Sequence, residues 1–361
     1  MLGTEIAPMQ IIRHRSYARA GLIGNPSDGY HGKTISLMVR QFFAEVVMYE
    51  WDELEIVLTH QSQIRFNSIR GLVRDVQLHG YYGGIRLIKA TIKKFVDYCD
   101  RHGHDLNRPN FSVRFQSNIP RQVGMAGSSA IIVATLRCLM EFYDLEIPLQ
   151  IQPSLVREVE TDELGLPAGL QDRVIQIYEG LVYMDFSKAT SLNLDGYECG
   201  RYERLDASLL PPLYLAYNDL VSEPTEIPHN SLRAQYDQGN VAVHQAMDRF
   251  AQITDAAREA IENGDAITLA HLIDENFDLR QSIVPIAARQ MEMVQAARTA
   301  GASAKFAGSG GAIIGTCTNE TTWIKLQRAM QAIGCQIIRP QVLPESGHAD
   351  AGQSFVQPPL D

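Results

Sequence analysis

Residues 119–130 read Ile119-Pro-Arg-Gln-Val-Gly-Met-Ala-Gly-Ser-Ser-Ala130 and run into a helix-favouring stretch, Ser128–Tyr143. Just upstream, Phe111–Phe115 alternates apolar and polar residues as a strand does. A strand, a loop of small residues and a helix therefore follow one another. Gly124 and Gly127 let a backbone come close to a ligand, and the helix start offers unpaired N–H groups with the positive end of its dipole. Phosphate is the ligand this arrangement favours. Ser128 or Ser129 suits the N-cap, and the other hydroxyl could reach a metal ion. No lysine precedes the serines, which excludes a Walker A loop. A plain helix cap after a glycine turn fits the same residues.

Towards the C-terminus, Lys305-Phe-Ala-Gly308-Ser309-Gly310-Gly311-Ala312 places three glycines within four positions between two short apolar runs. A dinucleotide fingerprint would run from strand into helix, and this loop runs from strand into strand, so that reading fails. A tight turn and a ligand loop both remain open. Towards the N-terminus, Tyr17–His31 holds Gly24-Asn25-Pro26-Ser27-Asp28. In strand geometry Arg13, Arg15, Tyr17 and Arg19 share one face, either a basic stripe for an anion or a solvated edge. Finally, Glu158–Arg173 sets Glu158, Glu160, Asp162, Glu163 and Asp172 among leucines and valines. A carboxylate set back there is a candidate base or metal ligand, although acidic runs are commonly solvated faces.

Composition bounds the reading. The 361 residues correspond to about two domains. Charged residues amount to 20% and apolar ones to 45%, which excludes a mostly disordered chain. Lys+Arg 32 against Asp+Glu 42 leaves −10, so nucleic acid is not the expected partner, and an anionic substrate needs a local basic pocket. Five scattered cysteines without a CxxC fit neither a disulfide framework nor a zinc ribbon. No apolar run approaches the roughly 20 residues of a membrane span, and the first residues lack a secretory apolar core. A soluble cytoplasmic protein is expected.

Strands are expected at Ile11–Ile23, Thr34–Met48, Leu54–Leu58, Leu181–Phe186, Ser303–Ala307, Ala312–Cys317 and Gln336–Arg339. Helices are expected at Ile85–Cys99, Val241–Glu262, Ala266–Ser282, Ala287–Thr299 and Thr321–Ile333. Without strict alternation the class is α+β. The polar stretch Asn193–Leu209 suggests domains at 1–200 and 205–343, with 344–361 an expected disordered tail.

Taken in this order, the four segments resemble the GHMP kinases, the family of galactokinase, homoserine kinase, mevalonate kinase and phosphomevalonate kinase. The family's Pro-x-x-x-Gly-Leu-…-Ser-Ser-Ala motif is here Pro120–Ala130 with Met125 for leucine, and Glu-x(8)-Gly-x-x-Asp fits Glu160, Gly169 and Asp172. The resemblance implies a ribosomal protein S5 domain 2-like N-terminal domain and a ferredoxin-like C-terminal domain. It implies ATP and Mg²⁺ as cofactors. Pro120, Gly124, Met125, Ala126, Gly127, Ser128, Ser129 and Ala130 would wrap the phosphates, and Ser129 and Glu160 would hold the metal. Asp172 would take the proton of the accepting hydroxyl, and Arg19 would orient Asp172.

Further segments are similar to the plant-type glucuronokinase subfamily. They are Ser16-Tyr-Ala-Arg, Gly24-Asn-Pro-Ser-Asp, Gly80-Tyr-Tyr-Gly-Gly84, Asn118-Ile-Pro-Arg-Gln122, Ala168-Gly-Leu-Gln-Asp-Arg173 and Met184-Asp-Phe-Ser-Lys188. This implies phosphorylation of the C1 hydroxyl of D-glucuronate, giving glucuronate 1-phosphate and ADP. An anomeric kinase for galacturonate, galactose or a heptose, or a catalytically dead sugar- and ATP-sensing relative, stays open. The substrate residues implied are Asn25, Ser27, Asp28, Tyr30, Gly308, Ser309 and Gly310. A uronate carboxylate needs a cation among Arg13, Arg15, Lys33, Arg121 and Arg280, with Arg121 and Arg280 the foremost.

Overall fold

The computed structural model describes residues 10–59, 62–81, 83–218 and 226–343. Two long strands open the chain, β1 (Ile11–Ile23) and β2 (Lys33–Glu50), antiparallel and joined through a short 3₁₀ turn at Ser27–Tyr30. Then come β3 (Leu54–Thr59), β4 (Ser62–Phe66), α1 (Ile69–His79), α2 (Arg86–His102), β5 (Phe111–Ser117) and α3 (Gly127–Tyr143). Next, α4 (Gln152–Glu158) runs into a π-helical turn at Val159–Glu163, followed by α5 (Gln171–Tyr178) and β6 (Leu181–Asp185). A small hairpin, β7 (Leu192–Leu194) with β8 (Tyr197–Cys199), precedes β9 (Arg201–Leu205).

All of these strands but β7 and β8 form a seven-stranded sheet in the order β4-β3-β5-β2-β6-β9, with β1 also paired to β2. Only the β3–β5 pairing is parallel among the described strands. Helix α3 is apolar on nearly every face, as a helix buried between layers must be. It packs on β1, β2 and α2, and Ile132, Val133, Leu136 and Leu139 fill that core with Ile88, Phe95 and Val174.

The second half is β10 (Leu213–Tyr217), α6 (Glu226–Asp237), α7 (Val241–Glu262), α8 (Ala266–Ile283), α9 (Ala288–Thr299), β11 (Lys305–Phe306), β12 (Ala312–Thr316), α10 (Glu320–Ala332) and β13 (Gln336–Ile338). Its four strands are antiparallel in the order β11-β12-β10-β13, the order of a ferredoxin-like βαββαβ unit enlarged by extra helices. One apolar cluster joins the halves, with Leu22, Ile35 and Val123 packed against Leu215, Ile253, Ile273 and Ile314. The seam carries buried contacts along its length.

Three expectations change. The stretch 193–209 is not irregular: it holds β8, most of β7, and β9, which pairs with β6 in the large sheet. The chain thus crosses from one sheet to the other between Leu205 and Leu213. Next, the β1–β2 register slips after Tyr17, which faces Phe43, while Ala18 faces Val39. The slip adds residues 40–42 to β2 alone, and it is burial that divides the arginines. Arg13 and Arg15 stay outside on Glu45, whereas Arg19 is buried. Finally, β4, β10, α1, α4, α5 and α6 appear where no element was expected. The tail from residue 344 lies outside the described residues. All five cysteines are free and buried, and among the described residues no helix is long and apolar enough to cross a membrane.

Candidate active site

The loop before α3 reverses hand at Gln122, Gly124 and Ala126, with φ of 58°, 73° and 62°. Ala126, not a serine, is the N-cap, and the first helical bond runs from the Ala130 N–H to its carbonyl. The serines therefore lie inside the first turn. With Gly127, Ser128 and Ser129 opening the helix, three backbone N–H groups precede that first bond. Ser128 is exposed, while Ser129 is buried and its Oγ donates to the Ala126 carbonyl at 3.2 Å. Gln176 Nε2 donates to the same carbonyl at 2.8 Å, fixing the turn from below. Pro120 is half-buried and Met125 fully so.

Arg19 lies at the centre. Its backbone N–H donates to the Met125 carbonyl at 3.3 Å and its Nε to Oδ1 of Asp172 at 2.7 Å. Nη1 reaches the Gly124 carbonyl and, at 3.1 Å, that of Ala307. Asp172 is in the first turn of α5, where the dipole favours its charge. One guanidinium thus ties together β1, the phosphate-type loop, the C-terminal glycine loop and a carboxylate.

The glycine loop presses on the first loop. A Cβ on Gly308 would lie 2.2 Å from the Gly124 carbonyl oxygen and 2.7 Å from Arg19 Nη1, so no larger residue fits. Arg280, on α8, donates to the Gly308 carbonyl at 2.8 Å and that of Ser309 at 3.0 Å. Burial pulls its guanidinium down to about 10. Gly310 lies against the Gln290 amide.

Lys305 is buried with Nζ donating to the Gly21 carbonyl at 2.7 Å, Asn25 Oδ1 at 2.6 Å and the Phe306 carbonyl at 2.7 Å. Burial, then Arg280 and Arg19, push the ammonium well below the ordinary lysine range. Asn276 completes the grip, accepting from the Gly24 N–H at 2.6 Å and donating to the Asn25 carbonyl at 3.1 Å. Neither Lys305 nor Asn276 stands out in the sequence as a site residue. The position of Lys305 directly before the glycines is the one signal there.

The turn after β1 supplies Asp28, whose carboxylate lies against Gly169 and the N–H of Gln171. Burial, with Asp172 nearby, raises its carboxyl to about 6. Ser27 is fully buried and its Oγ both donates to and accepts from the Lys33 backbone, at 3.0 and 3.2 Å. Tyr30 packs on Tyr236 at 4.8 Å between centroids, and burial lifts its hydroxyl to about 12. Of the expected carboxylate readers, Lys33 pairs with Asp255 at 2.8 Å. Arg121 is exposed, with no partner among the described residues.

Glu160 sits in the π-helical turn, buried, with Oε2 on Arg173 Nη2. No described residue hydrogen-bonds its Oε1. Magnesium takes hard oxygen ligands, keeps several waters and is bound through one or two carboxylates plus substrate phosphates. The carboxylate of Glu160 and the hydroxyl of Ser129 are oxygen donors of that kind. No cluster of three His, Cys, Asp or Glu occurs among the described residues, so phosphate and water would complete the coordination.

Comparison with known proteins identifies the family. Residues 86–180 match the GHMP kinases N terminal domain. Glucuronokinase 1 of Arabidopsis thaliana is 40% identical over 322 residues, 87% of this chain and 87% of that one. The fold is shared with Lactococcus lactis galactokinase complexed with galactose (TM-score 0.76, 14% identity, 92% of this chain and 94% of that one). It is shared too with Methanococcus jannaschii mevalonate kinase (TM-score 0.72, 17% identity, 94% and 100%). With an α+β fold, two interlocked glycine loops and an arginine–aspartate pair joined to both, the chain belongs to the GHMP kinase family, as a glucuronokinase-like phosphotransferase with an alcohol group as acceptor.

Proposed function

We propose that the chain transfers the γ-phosphoryl group of ATP to the C1 hydroxyl of D-glucuronate, giving glucuronate 1-phosphate and ADP. The Arg19–Asp172 pair carries this reading, because it joins a carboxylate to both glycine loops. In the reaction the C1 oxygen bonds to the γ-phosphorus while the bond to the ADP oxygen breaks. The hydroxyl proton passes to the Asp172 carboxylate. An anomeric hydroxyl is more acidic than an ordinary alcohol, so a carboxylate of modest basicity serves.

Such a transfer needs positioning and neutralisation of charge more than covalent help. The N–H groups of Gly127, Ser128 and Ser129 would receive phosphate oxygens, and Arg19 would steady the charge that develops between hydroxyl and γ-phosphate. Ser129 and Glu160 would hold Mg²⁺, which when bound neutralises phosphate charge. Asn25, Asp28, Tyr30 and the loop at 308–310 would line the sugar subsite. Arg121, a cation with no partner among the described residues, is the better candidate for the substrate carboxylate; Arg280 already donates to two carbonyls. The 40% identity to a protein named glucuronokinase supports the choice of sugar.

The test is ADP release by purified protein over a panel of neutral sugars and uronic acids. Turnover with D-glucuronate well above that with glucose and galactose is expected. Activity confined to neutral sugars would overturn the substrate, and no ADP release from any sugar would overturn the kinase reading.

A further inference from the structure

Arg173 has no role in the transfer described above, yet its guanidinium touches two carboxylates of the site. The side chain is buried at 6% exposure. Nη2 donates to Oε2 of Glu160, and Nη1 donates to the Gly169 carbonyl at 2.9 Å while standing 3.5 Å from Oδ2 of Asp172. Nε is buried without a hydrogen-bond partner. Arg19 holds the opposite oxygen, Oδ1, of Asp172. Asp172 therefore stands between two guanidinium groups, and one of them also occupies Glu160.

We propose that Arg173 is a positioning residue that ties Asp172 to Glu160 and competes with the divalent cation for the Glu160 carboxylate. The inference rests on the reading of Glu160 as metal ligand. A planar guanidinium can span two carboxylates at a fixed spacing, which a single ammonium cannot. A second cation arriving on the same buried carboxylate meets repulsion from the first, strongest where water is excluded. The enzyme would then hold its metal more loosely than a bare glutamate would, and keep the base in register with it.

Mn²⁺ is the probe, because the paramagnetic resonance signal of the free ion reads binding without turnover. Its binding to the ADP-saturated protein is compared in wild type, R173M, R173K and E160Q, beside kcat and KM with MgATP. R173M is expected to bind Mn²⁺ at least about threefold more tightly while kcat falls at least about tenfold, a combination that loose packing alone would not produce. R173K is expected to keep Mn²⁺ affinity within about twofold yet lose at least about fivefold in kcat. If R173M does not fold, R173K decides, and wild-type turnover in R173K overturns the proposal. Unchanged or weaker Mn²⁺ binding in R173M, with E160Q still weakening it, overturns the competition and leaves Glu160 as ligand. If E160Q also leaves binding unaltered, the metal assignment and the proposal fall together.

Discussion

Arg19 Nε donates to Oδ1 of Asp172 at 2.7 Å, closing a contact between residues 153 positions apart. The same guanidinium reaches the Gly124 and Ala307 carbonyls, so the position of the carboxylate is set by both glycine loops. A displacement of either loop would reach Asp172 through one rigid group. Positioning to a fraction of an ångström is what phosphoryl transfer demands of its protein.

Asp172→Asn keeps the size and one acceptor oxygen for Arg19 but cannot take a proton. Turnover is expected to fall by about 10²–10⁴-fold. ATP affinity, measured by equilibrium binding, is expected to stay within about threefold, since the phosphate-type loop is built from other residues. Near-normal turnover would remove Asp172 from the role of base.

Arg121→Ala and Arg280→Ala separate two jobs. Arg121 is exposed with no partner among the described residues, so its loss is expected to raise the KM for glucuronate by about tenfold or more with little effect on ATP. Arg280 holds the Gly308 and Ser309 carbonyls, so its loss is expected to weaken both substrates and to lower the melting temperature. Steady-state kinetics for each substrate, with thermal unfolding, distinguishes them. If Arg280→Ala affects glucuronate alone, the loop-bracing role is wrong.

Much of this geometry is legible in the amino-acid sequence, and the parts that are not have physical causes. The strand–loop–helix at Phe111–Tyr143 reads directly, because period-2 text, small residues and an apolar helix follow one another. The division of the arginines does not, since period-2 alternation carries no sign of which part of a strand another loop will cover, and so the pattern groups Arg13 and Arg15 with Arg19. The helix cap falls on Ala126 rather than on a serine because that alanine adopts the left-handed conformation usually left to glycine, moving the serines inward. Lys305 is hidden as a site residue for another reason. Its partners are carbonyls and an amide, and a neutral acceptor leaves no charge pattern in the sequence.

Asp28 gives the site a pH signature. Burial first, and Asp172 second, raise its carboxyl from 3.8 to about 6, so the folded protein binds this proton more tightly than the unfolded chain. Its contribution to stability is thus fully present below about 3.8 and is lost as pH rises through about 6. Asp28→Asn lacks that loss. The melting temperature of the variant relative to wild type is expected to climb between about pH 4 and 6.5 and then level off. A difference that stays flat across this range would mean that Asp28 is not held in an environment that favours its proton.

Lys305→Met tests how the two halves are locked together. Methionine fills nearly the same volume but donates nothing, so the Gly21 and Phe306 carbonyls and Asn25 Oδ1 lose a donor in a buried place. Each such acceptor costs about 1–3 kcal/mol when left bare, and relief from burying an ammonium offsets part of the sum. A net loss of about 1–3 kcal/mol is expected near neutral pH. The sign of its pH dependence is distinctive. Burial holds the wild-type ammonium well below 10.5, so as pH rises toward that value the folded protein gives up the proton before the unfolded chain does. Wild-type stability therefore gains with rising pH up to that value, whereas Lys305→Met has no such gain. Denaturant unfolding from pH 7 upward is expected to show the gap widening. Because the Gly21–Asn25 segment also borders Arg19 and Asp28, turnover is expected to drop at least about tenfold even where the variant is folded. A constant gap together with unimpaired turnover would show that Lys305 neither carries a perturbed charge nor aligns the site.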